Sequence, residues 1–287
     1  MLIDAAQSTL LIVDVQQKLL PAVAEATETT ANLRWLIRIA NTLSIPTVFS
    51  EQYPQGLGAT LPCLLEAANN APVVIKTLFS CVDASCLNGS PVEQSSQIVV
   101  AGIEAHVCVL QTVIHLLAIG KTVYVVADAV SSRNEHDKAL ALERLRGAGA
   151  HIVSREMVLF EWLRDSRSTH FKEISREYLQ KPPGLSFADA LTTLPTTAHL
   201  SGLQLWRDGK LEAVIENKPG QTGSLAIYHA LFQRYRSITP KAARAGLAMY
   251  GEHVADAQAH PGKHPNIDRL LALELVGGGF GVRLLPL

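Results

Sequence analysis

The sequence predicts an α/β fold: a doubly wound, mostly parallel sheet with helices on both faces, followed by a smaller C-terminal α+β domain. Short apolar runs alternate with helical patterns along residues 1–180. The runs are continuous rather than alternating, as in parallel strands that are covered on both faces. After the break at Lys181–Gly184 the pattern changes to hairpin and helix signals, which indicates a second domain.

The predicted strands of the first domain are apolar runs of five to seven residues. They are Ser8–Asp14, Pro46–Ser50, Pro72–Lys76, Gln97–Ile103, Thr122–Asp128 and Ala150–Ser154. Helical patterns lie between or after these runs, at Thr29–Ser44, Val109–Ile119, Glu135–Gly147 and Phe171–Gln180. This alternation is typical of a parallel sheet whose crossovers are helices.

The predicted domains are residues 1–180, a linker at residues 181–185 and residues 186–287. Two prolines and a glycine within Lys181–Gly184 end the preceding helix. The second domain begins with a hairpin that turns at Asp208-Gly209. Its predicted strands are His199–Arg207 and Leu211–Glu216; its predicted helices are Thr222–Tyr235, Pro240–Gln258 and Asn266–Glu274, before a glycine-rich run at Gly277–Leu284.

Composition limits the partners and the location. The 287 residues are 48% hydrophobic and 18% charged, with a formal net charge of −1 at pH 7. Without a basic excess, we expect neither a nucleic-acid nor a membrane partner. The first residues do not resemble a signal peptide, because the apolar run is short and contains Asp14. We therefore expect a cytoplasmic protein with four reduced cysteines, whose spacing fits no zinc pattern, and with no metal or cofactor.

Three reactive residues are predicted to meet at one edge of the sheet. Asp14 and Lys76 end apolar strands, and Cys108 follows the strand Gln97–Ile103 at the start of a helix. Ligands of parallel sheets bind beyond the carboxyl ends of the strands. A thiol at a helix N-terminus is expected to have a lowered pKa. Taken singly, Cys108 is also compatible with an inert buried thiol, Asp14 with a cap or salt bridge, and Lys76 with a surface lysine.

Together these motifs resemble the isochorismatase-like cysteine hydrolases over about residues 5–180. The likeness rests on Asp14 in VDVQ, Lys76 in VIKTLFS and Cys108 in GIEAHVCVLQT, and extends to residues 51–58 and 127–133. It implies a catalytic Asp14–Lys76–Cys108 triad, a cis peptide at Ile103–Glu104, and an oxyanion hole formed by the backbone N–H groups of Glu104 and Cys108. It also implies hydrolysis of a small amide-type substrate through a thioester, and a homo-oligomer.

The substrate pocket is predicted to include Gln16, Glu51, Tyr53, Phe79 and His106, the last as a lining residue rather than a base. Nicotinamidases of this superfamily carry a metal-binding histidine after the second strand. None stands at residues 50–54, so a nicotinamidase-like amidase is disfavoured. A non-catalytic binding or regulatory protein on the same fold stays an alternative.

Other residues carry weaker signals. Cys81 and Cys86 could pair or sense oxidation, but two ordinary thiols are the favoured interpretation. The C-terminal part resembles a small bacterial domain family of uncharacterised function, and it could bind a protein partner. Within it, His253, His260, His264 and Asp268 could ligate a metal, although their spacing is not diagnostic. The turn at residues 216–225 leads into a helix whose N–H groups could receive an anion.

Overall fold

The computed structural model describes residues 1–69, 71–180 and 184–287. The chain forms two compact units, Met1–Pro183 and Gly184–Leu287. Residues 181–183, most of the predicted linker, lie outside the described residues. Among the residues that are described, no helix is both long and apolar enough to cross a bilayer.

The first unit is built on six parallel strands in the order β3-β2-β1-β4-β5-β6. Their bounds are β1 Ser8–Val13, β2 Thr47–Gln52, β3 Val73–Lys76, β4 Gln97–Ile103, β5 Thr122–Ser131 and β6 His151–Val153. The strand order reverses direction between β1 and β4. In open α/β sheets, such a switch point leaves a crevice beyond the carboxyl ends of the strands.

Helices connect the strands of this unit. The α-helices are α1 Ala26–Thr42, α2 Pro54–Leu57, α3 Pro62–Ala67, α4 Pro91–Gln94, α5 Leu110–Ala118, α6 Glu135–Gly147, α7 Arg155–Leu163 and α8 Phe171–Ile174. Shorter turns are 3₁₀-helical at Ala5–Gln7 and Leu20–Ala22, and π-helical at Ala105–Val109 and Ser175–Leu179. The last two extend α5 and α8, so the helix predicted at Phe171–Gln180 has a π-helical second half.

The sheet separates two hydrophobic cores, one on each face. Successive residues of β1 point to opposite faces, as the strand period of two requires. Leu10 and Ile12 join the core that holds α1 and α7, whereas Leu11 and Val13 join the core that holds α5 and α6. Both faces are therefore covered, and the predicted doubly wound class is confirmed.

A glycine allows β4 to approach β1 closely at the switch point. Gly102 has φ of +120°, and a Cβ built on it would lie 2.2 Å from the Val13 carbonyl oxygen. No larger residue fits without moving the backbone of one strand. The close approach brings the segment after β4 next to the residue that follows β1, which is Asp14.

The second unit contains a four-stranded sheet in the order β8-β7-β10-β9, with antiparallel pairs. Its strands are β7 Leu200–Arg207, β8 Lys210–Glu216, β9 Ser237–Ile238 and β10 Phe280–Pro286. Its helices are α9 Phe187–Thr192, α10 Thr222–Tyr235, α11 Pro240–Tyr250, α12 His253–Ala259 and α13 Pro265–Val276. This sheet and its helices confirm the predicted α+β class and enclose a separate core.

One predicted element of this unit is wrong. The pattern at Pro240–Gln258 forms two helices, α11 and α12, instead of one. Gly251 separates them with φ of +52°, a conformation that a right-handed helix cannot contain. The hairpin turn lies where it was predicted, since Asp208 and Gly209 both have positive φ, as a type I′ turn requires.

Candidate active site

A buried ion pair joins the ends of two strands. The Lys76 Nζ atom lies 2.6 Å from Asp14 Oδ2, and both side chains are 0% exposed. Burial alone would lower the pKa of Lys76, but the negative charge of Asp14 raises it overall. The ammonium therefore stays charged at neutral pH. Lys76 is not a surface lysine, which was one of the alternatives open from its sequence.

Asp14 is fixed by the neighbouring strand β2. Its backbone N–H donates to the Ser50 carbonyl at 3.0 Å, and its Oδ1 accepts from the Ser50 hydroxyl at 2.7 Å. Asp14 adopts φ of +53°, a left-handed conformation that Asp tolerates better than most residues. The turn directs the carboxylate toward β2 and β3 rather than along the strand.

The second partner of Lys76 is an amide. Lys76 Nζ donates to Gln52 Oε1 at 2.8 Å, and Gln52 Nε2 donates to the Thr77 carbonyl at 2.6 Å. The Gln16 side chain holds the backbone of Gln52: it accepts from the Gln52 N–H at 2.8 Å and donates to the Gln52 carbonyl at 3.0 Å. Gln16 Nε2 also donates to the Gly58 carbonyl. Both ends of the Gln16 amide thus brace the site.

Cys108 lies in the π-helical turn Ala105–Val109, which leads into α5. The residue is 6% exposed, and the charges of Asp14 and Lys76 both act on its thiol. Burial and the charge of Asp14 raise the pKa of Cys108 well above its ordinary value, although Lys76 opposes them. The prediction of a lowered thiol pKa is therefore wrong, because desolvation outweighs the helix terminus. The resting site holds a protonated thiol next to a carboxylate.

Glu104 precedes this turn and is clamped to the segment after β5. Arg133 donates to both carboxylate oxygens, from Nη2 at 2.9 Å and from Nε at 3.1 Å, and its backbone N–H adds a third bond at 3.0 Å. Desolvation opposes these bonds, but they hold the pKa of Glu104 below its usual value. The Glu104 carbonyl accepts from the Val107 and Val109 N–H groups. The Ile103–Glu104 peptide is cis, at the position that the sequence resemblance implies.

The other predicted pocket residues lie in β2 or in the segments that follow β2, β3 and β4. Glu51 is buried, and its Oε1 accepts from the Thr60 N–H at 2.6 Å. Tyr53 and Phe79 are about half exposed, at 53% and 51%, and each lies a few residues along the chain from Gln52 or Lys76. His106 Nδ1 pairs with the Ser132 hydroxyl at 3.0 Å. Their roles in binding a substrate stay predictions.

A second thiol lies next to the ion pair. Cys81 is fully buried, and its interaction with the Cys86 thiol lowers the pKa of Cys81 despite its burial. The Cys86 thiol also donates to the Cys81 carbonyl at 3.4 Å. Both cysteines are free, so the two thiols are reduced in this structure.

Comparison with known proteins identifies the family. The family model of the isochorismatase domain matches residues 8–157, which is more than half of the chain. The chain belongs to the isochorismatase family. Isochorismatase family protein 1A of Dictyostelium discoideum is 37% identical over 190 residues, covering 62% of this chain and 92% of that protein.

Two solved structures share the isochorismatase fold. The MAR1 ribonuclease of Caenorhabditis elegans is 37% identical, with a TM-score of 0.58, and the match covers 64% of this chain and 95% of that one. The YcaC gene product of Escherichia coli, described as an octameric hydrolase of unknown specificity, is 25% identical with a TM-score of 0.56. That match covers 63% of this chain and 92% of that one.

The C-terminal unit lies outside the isochorismatase match. Residues 187–278 match a family described as an uncharacterised protein conserved in bacteria, DUF2322. The histidine-rich loop of the C-terminal unit, residues 260–264, is held by Asp256. This carboxylate accepts from His264 Nε2 at 2.6 Å, Lys263 Nζ at 2.8 Å and His260 Nδ1 at 3.0 Å. Among the described residues, no group of three or more His, Cys, Asp or Glu is arranged to hold a metal.

The remaining predicted features of this unit also have partners within it. Asp268 accepts from the Gly262 N–H at 2.9 Å, and the His253 ring packs edge-on against Phe187. In the turn at residues 216–225, the Gln221 side chain accepts from the Glu216 N–H. These contacts stabilise loops, and any ligand of this unit stays a prediction.

Proposed function

We propose that the first unit is a cysteine-dependent hydrolase that cleaves a C–N bond in a small amide-type substrate through a thioester. The observation that carries this is the buried Asp14–Lys76 pair at 2.6 Å, with the buried Cys108 thiol close enough for the charges of both residues to act on its pKa. A nucleophile beside a base and a cation is the arrangement that nucleophilic catalysis requires.

The acylation step follows from this arrangement. Asp14 takes the proton of the Cys108 thiol as the sulfur attacks the carbonyl carbon, so that a C–S bond forms. Burial and the charge of Asp14 make the thiolate of Cys108 costly to form. The positive charge of Lys76 opposes them and stabilises the negative charge that develops on the sulfur. The backbone N–H groups of Glu104 and Cys108 bind the oxyanion of the tetrahedral intermediate. Asp14 then protonates the leaving nitrogen as the C–N bond breaks.

Deacylation uses the same carboxylate. Asp14 accepts a proton from a water molecule, which attacks the thioester carbonyl. The C–S bond breaks, and the proton returns to the Cys108 sulfur as the carboxylic acid leaves. Each step is balanced without an oxidant, a metal or a cofactor.

The substrate class is tested with a panel of small amides and ureides. Cys108-directed activity probes should label the wild type and not Cys108→Ser, and any amide that is turned over should lose its turnover in the same variant. RNA belongs in the panel because one relative is named a ribonuclease. Labelling or turnover that is equal in both proteins contradicts the proposal. If the wild type shows neither labelling nor turnover, the alternative of a binding or regulatory protein on this fold is favoured.

A nicotinamidase-like activity is less well supported. That activity needs a metal site beyond β2, but the Glu51 carboxylate bonds the Thr60 backbone and Gln52 bonds Lys76. Nicotinamide in the same panel tests this alternative, and metal-stimulated deamidation of nicotinamide would revive it.

We also infer that the chain assembles as a homo-oligomer, because a relative of 25% identity is described as octameric. A cytoplasmic location stays a prediction. Light scattering coupled to size-exclusion chromatography gives the assembly, for which a monomer is the contradicting result. Binding of a partner protein by the C-terminal unit stays a prediction.

A further inference from the structure

We propose that Gln52 is a positioning residue that directs Lys76 toward the Asp14–Cys108 pair while adding no charge of its own. The inference rests on the proposed function, because it assigns a role in that same site. The Gln52 side chain touches Lys76 and the Thr77 backbone, and it acts on the thiol only through Lys76.

The orientation of the Gln52 amide is fixed by its partners. An ammonium can only donate a hydrogen bond and a carbonyl can only accept one. Oε1 must therefore face Lys76, at 2.8 Å, and Nε2 must face the Thr77 carbonyl, at 2.6 Å. A glutamine satisfies both partners, a glutamate leaves the Thr77 carbonyl without its donor, and an apolar residue satisfies neither.

Gln52 is itself held in place. It is 9% exposed and ends β2, where both its N–H and its carbonyl bond the side chain of Gln16. Its oxygen therefore fixes a second direction for Lys76, in addition to the bond with Asp14 Oδ2. Two fixed acceptors restrict the rotation of an ammonium far more than one does.

The neutrality of Gln52 matters because of the groups around Lys76. The charged or titratable side chains that act on Lys76 are Asp14, Cys108 and Cys81. Asp14 already supplies one negative charge. A second carboxylate at 2.8 Å would cancel the field with which Lys76 favours a thiolate at Cys108. A neutral acceptor positions the lysine and preserves that field.

The test measures the reactivity of Cys108 in the full chain, without a substrate. Iodoacetamide alkylation is followed from pH 5 to 10, and Glu-specific proteolysis releases residues 105–135, in which Cys108 is the only cysteine. Because the pKa of Cys108 lies well above its ordinary value, the rate should rise with pH across this whole range. Gln52→Glu should raise that pKa by about one unit, which lowers the alkylation rate about tenfold at each pH. Gln52→Asn keeps a neutral amide but shortens the reach to Lys76, and should slow alkylation severalfold.

A matched control adds the same charge at the other end of β1. Gln7 directly precedes the strand and is exposed. At about 3.3 Å per strand residue, it lies about 20 Å from the end of β1 that carries Asp14. Gln7→Glu should alkylate like the wild type. Circular dichroism checks folding, and if Gln52→Glu does not fold, Gln52→Asn decides the question alone.

The outcomes separate the two proposals. If Cys108 of the wild type reacts but the folded Gln52 variants follow the same profile, the role of Gln52 is refuted and the hydrolase proposal is unaffected. If Cys108 of the wild type does not react at any pH, the role of Gln52 is overturned, and the hydrolase proposal is decided by the substrate panel. If Cys108 of the wild type reacts and the Gln52 variants react more slowly, the positioning role of Gln52 is supported, even before any substrate is known.

Discussion

Replacing Lys76 by methionine tests how much stability the buried ion pair supplies. The two charges lie 2.6 Å apart at 0% exposure. With an effective dielectric constant of about 20, Coulomb's law gives about 6 kcal/mol at this separation. Part of that attraction offsets the cost of burying the lysine, so we expect Lys76→Met to lower the free energy of unfolding at pH 7 by about 3–5 kcal/mol. The remaining carboxylate keeps only neutral donors, including the Ser50 hydroxyl.

Urea denaturation followed by tryptophan fluorescence measures this loss. Trp35 and Trp162 are buried in the core of the first unit, and a Trp206→Phe background removes the signal of the second unit. Lys172→Met, at an exposed position of α8, is the matched control and should stay within about 0.5 kcal/mol of the wild type.

A double variant identifies the cause of the loss. The double variant Asp14→Asn/Lys76→Met should be more stable at pH 7 than Lys76→Met alone, since the unpaired charge is gone. A deficit below about 1 kcal/mol, or a double variant that is no more stable than Lys76→Met, would refute the reasoning.

Three further predictions concern the same unit. Gly102→Ala should destabilise it by more than about 2 kcal/mol in the same urea assay, because the new Cβ would meet the Val13 carbonyl at 2.2 Å. Gly147→Ala, where a Cβ meets nothing within 4 Å, is its control and should be neutral or stabilising; equal effects would contradict the contact argument. Arg133→Ala should cost less than about 1 kcal/mol of stability, because Arg133 is 65% exposed, yet should slow acylation by loosening Glu104; unchanged acylation refutes the clamp. The pKa of Lys76 is raised in the folded state, so the ion pair contributes its full stability below about pH 10.5. That contribution is lost only as pH rises through the pKa of Lys76 in the folded state, and deprotonation of Lys76 should cause no loss of stability at pH 8–9.

The fold could be predicted because its strands are buried on both faces. Continuous apolar runs such as Gln97–Ile103 leave no other placement in a chain of this composition. The predicted ends of two strands were less accurate. In the structure β2 continues to Gln52 and β5 to Ser131, past the apolar residues from which each strand was predicted. Backbone hydrogen bonds with neighbouring strands set those ends, and the sequence of one strand does not record them.

The candidate site could be predicted in part. Asp14 and Lys76 stand out because a charged residue at the end of an apolar strand is costly unless it is paired, and the structure pairs them. The protonation state of Cys108 could not be predicted, since it depends on the depth of burial and on the charge of Asp14. A sequence motif specifies neither quantity.

Ser50 and Gln52 were missed, although a signal for them was present. They stand two residues apart on β2, and a strand period of two places them on the same face, one residue either side of Glu51. The predicted pocket instead included Glu51, whose carboxylate bonds the Thr60 backbone. The polar residues that hold Asp14 and Lys76 could have been found by continuing β2 beyond its apolar run.

The central claim is that Cys108 is the nucleophile of a hydrolase. The most direct test is the turnover of a verified substrate by the wild type and by Cys108→Ala, with Cys63→Ala as a control for the loss of a buried thiol in the same unit. Cys108→Ala should lose turnover by at least about a thousandfold, while Cys63→Ala should retain it. Full activity in Cys108→Ala would contradict the account.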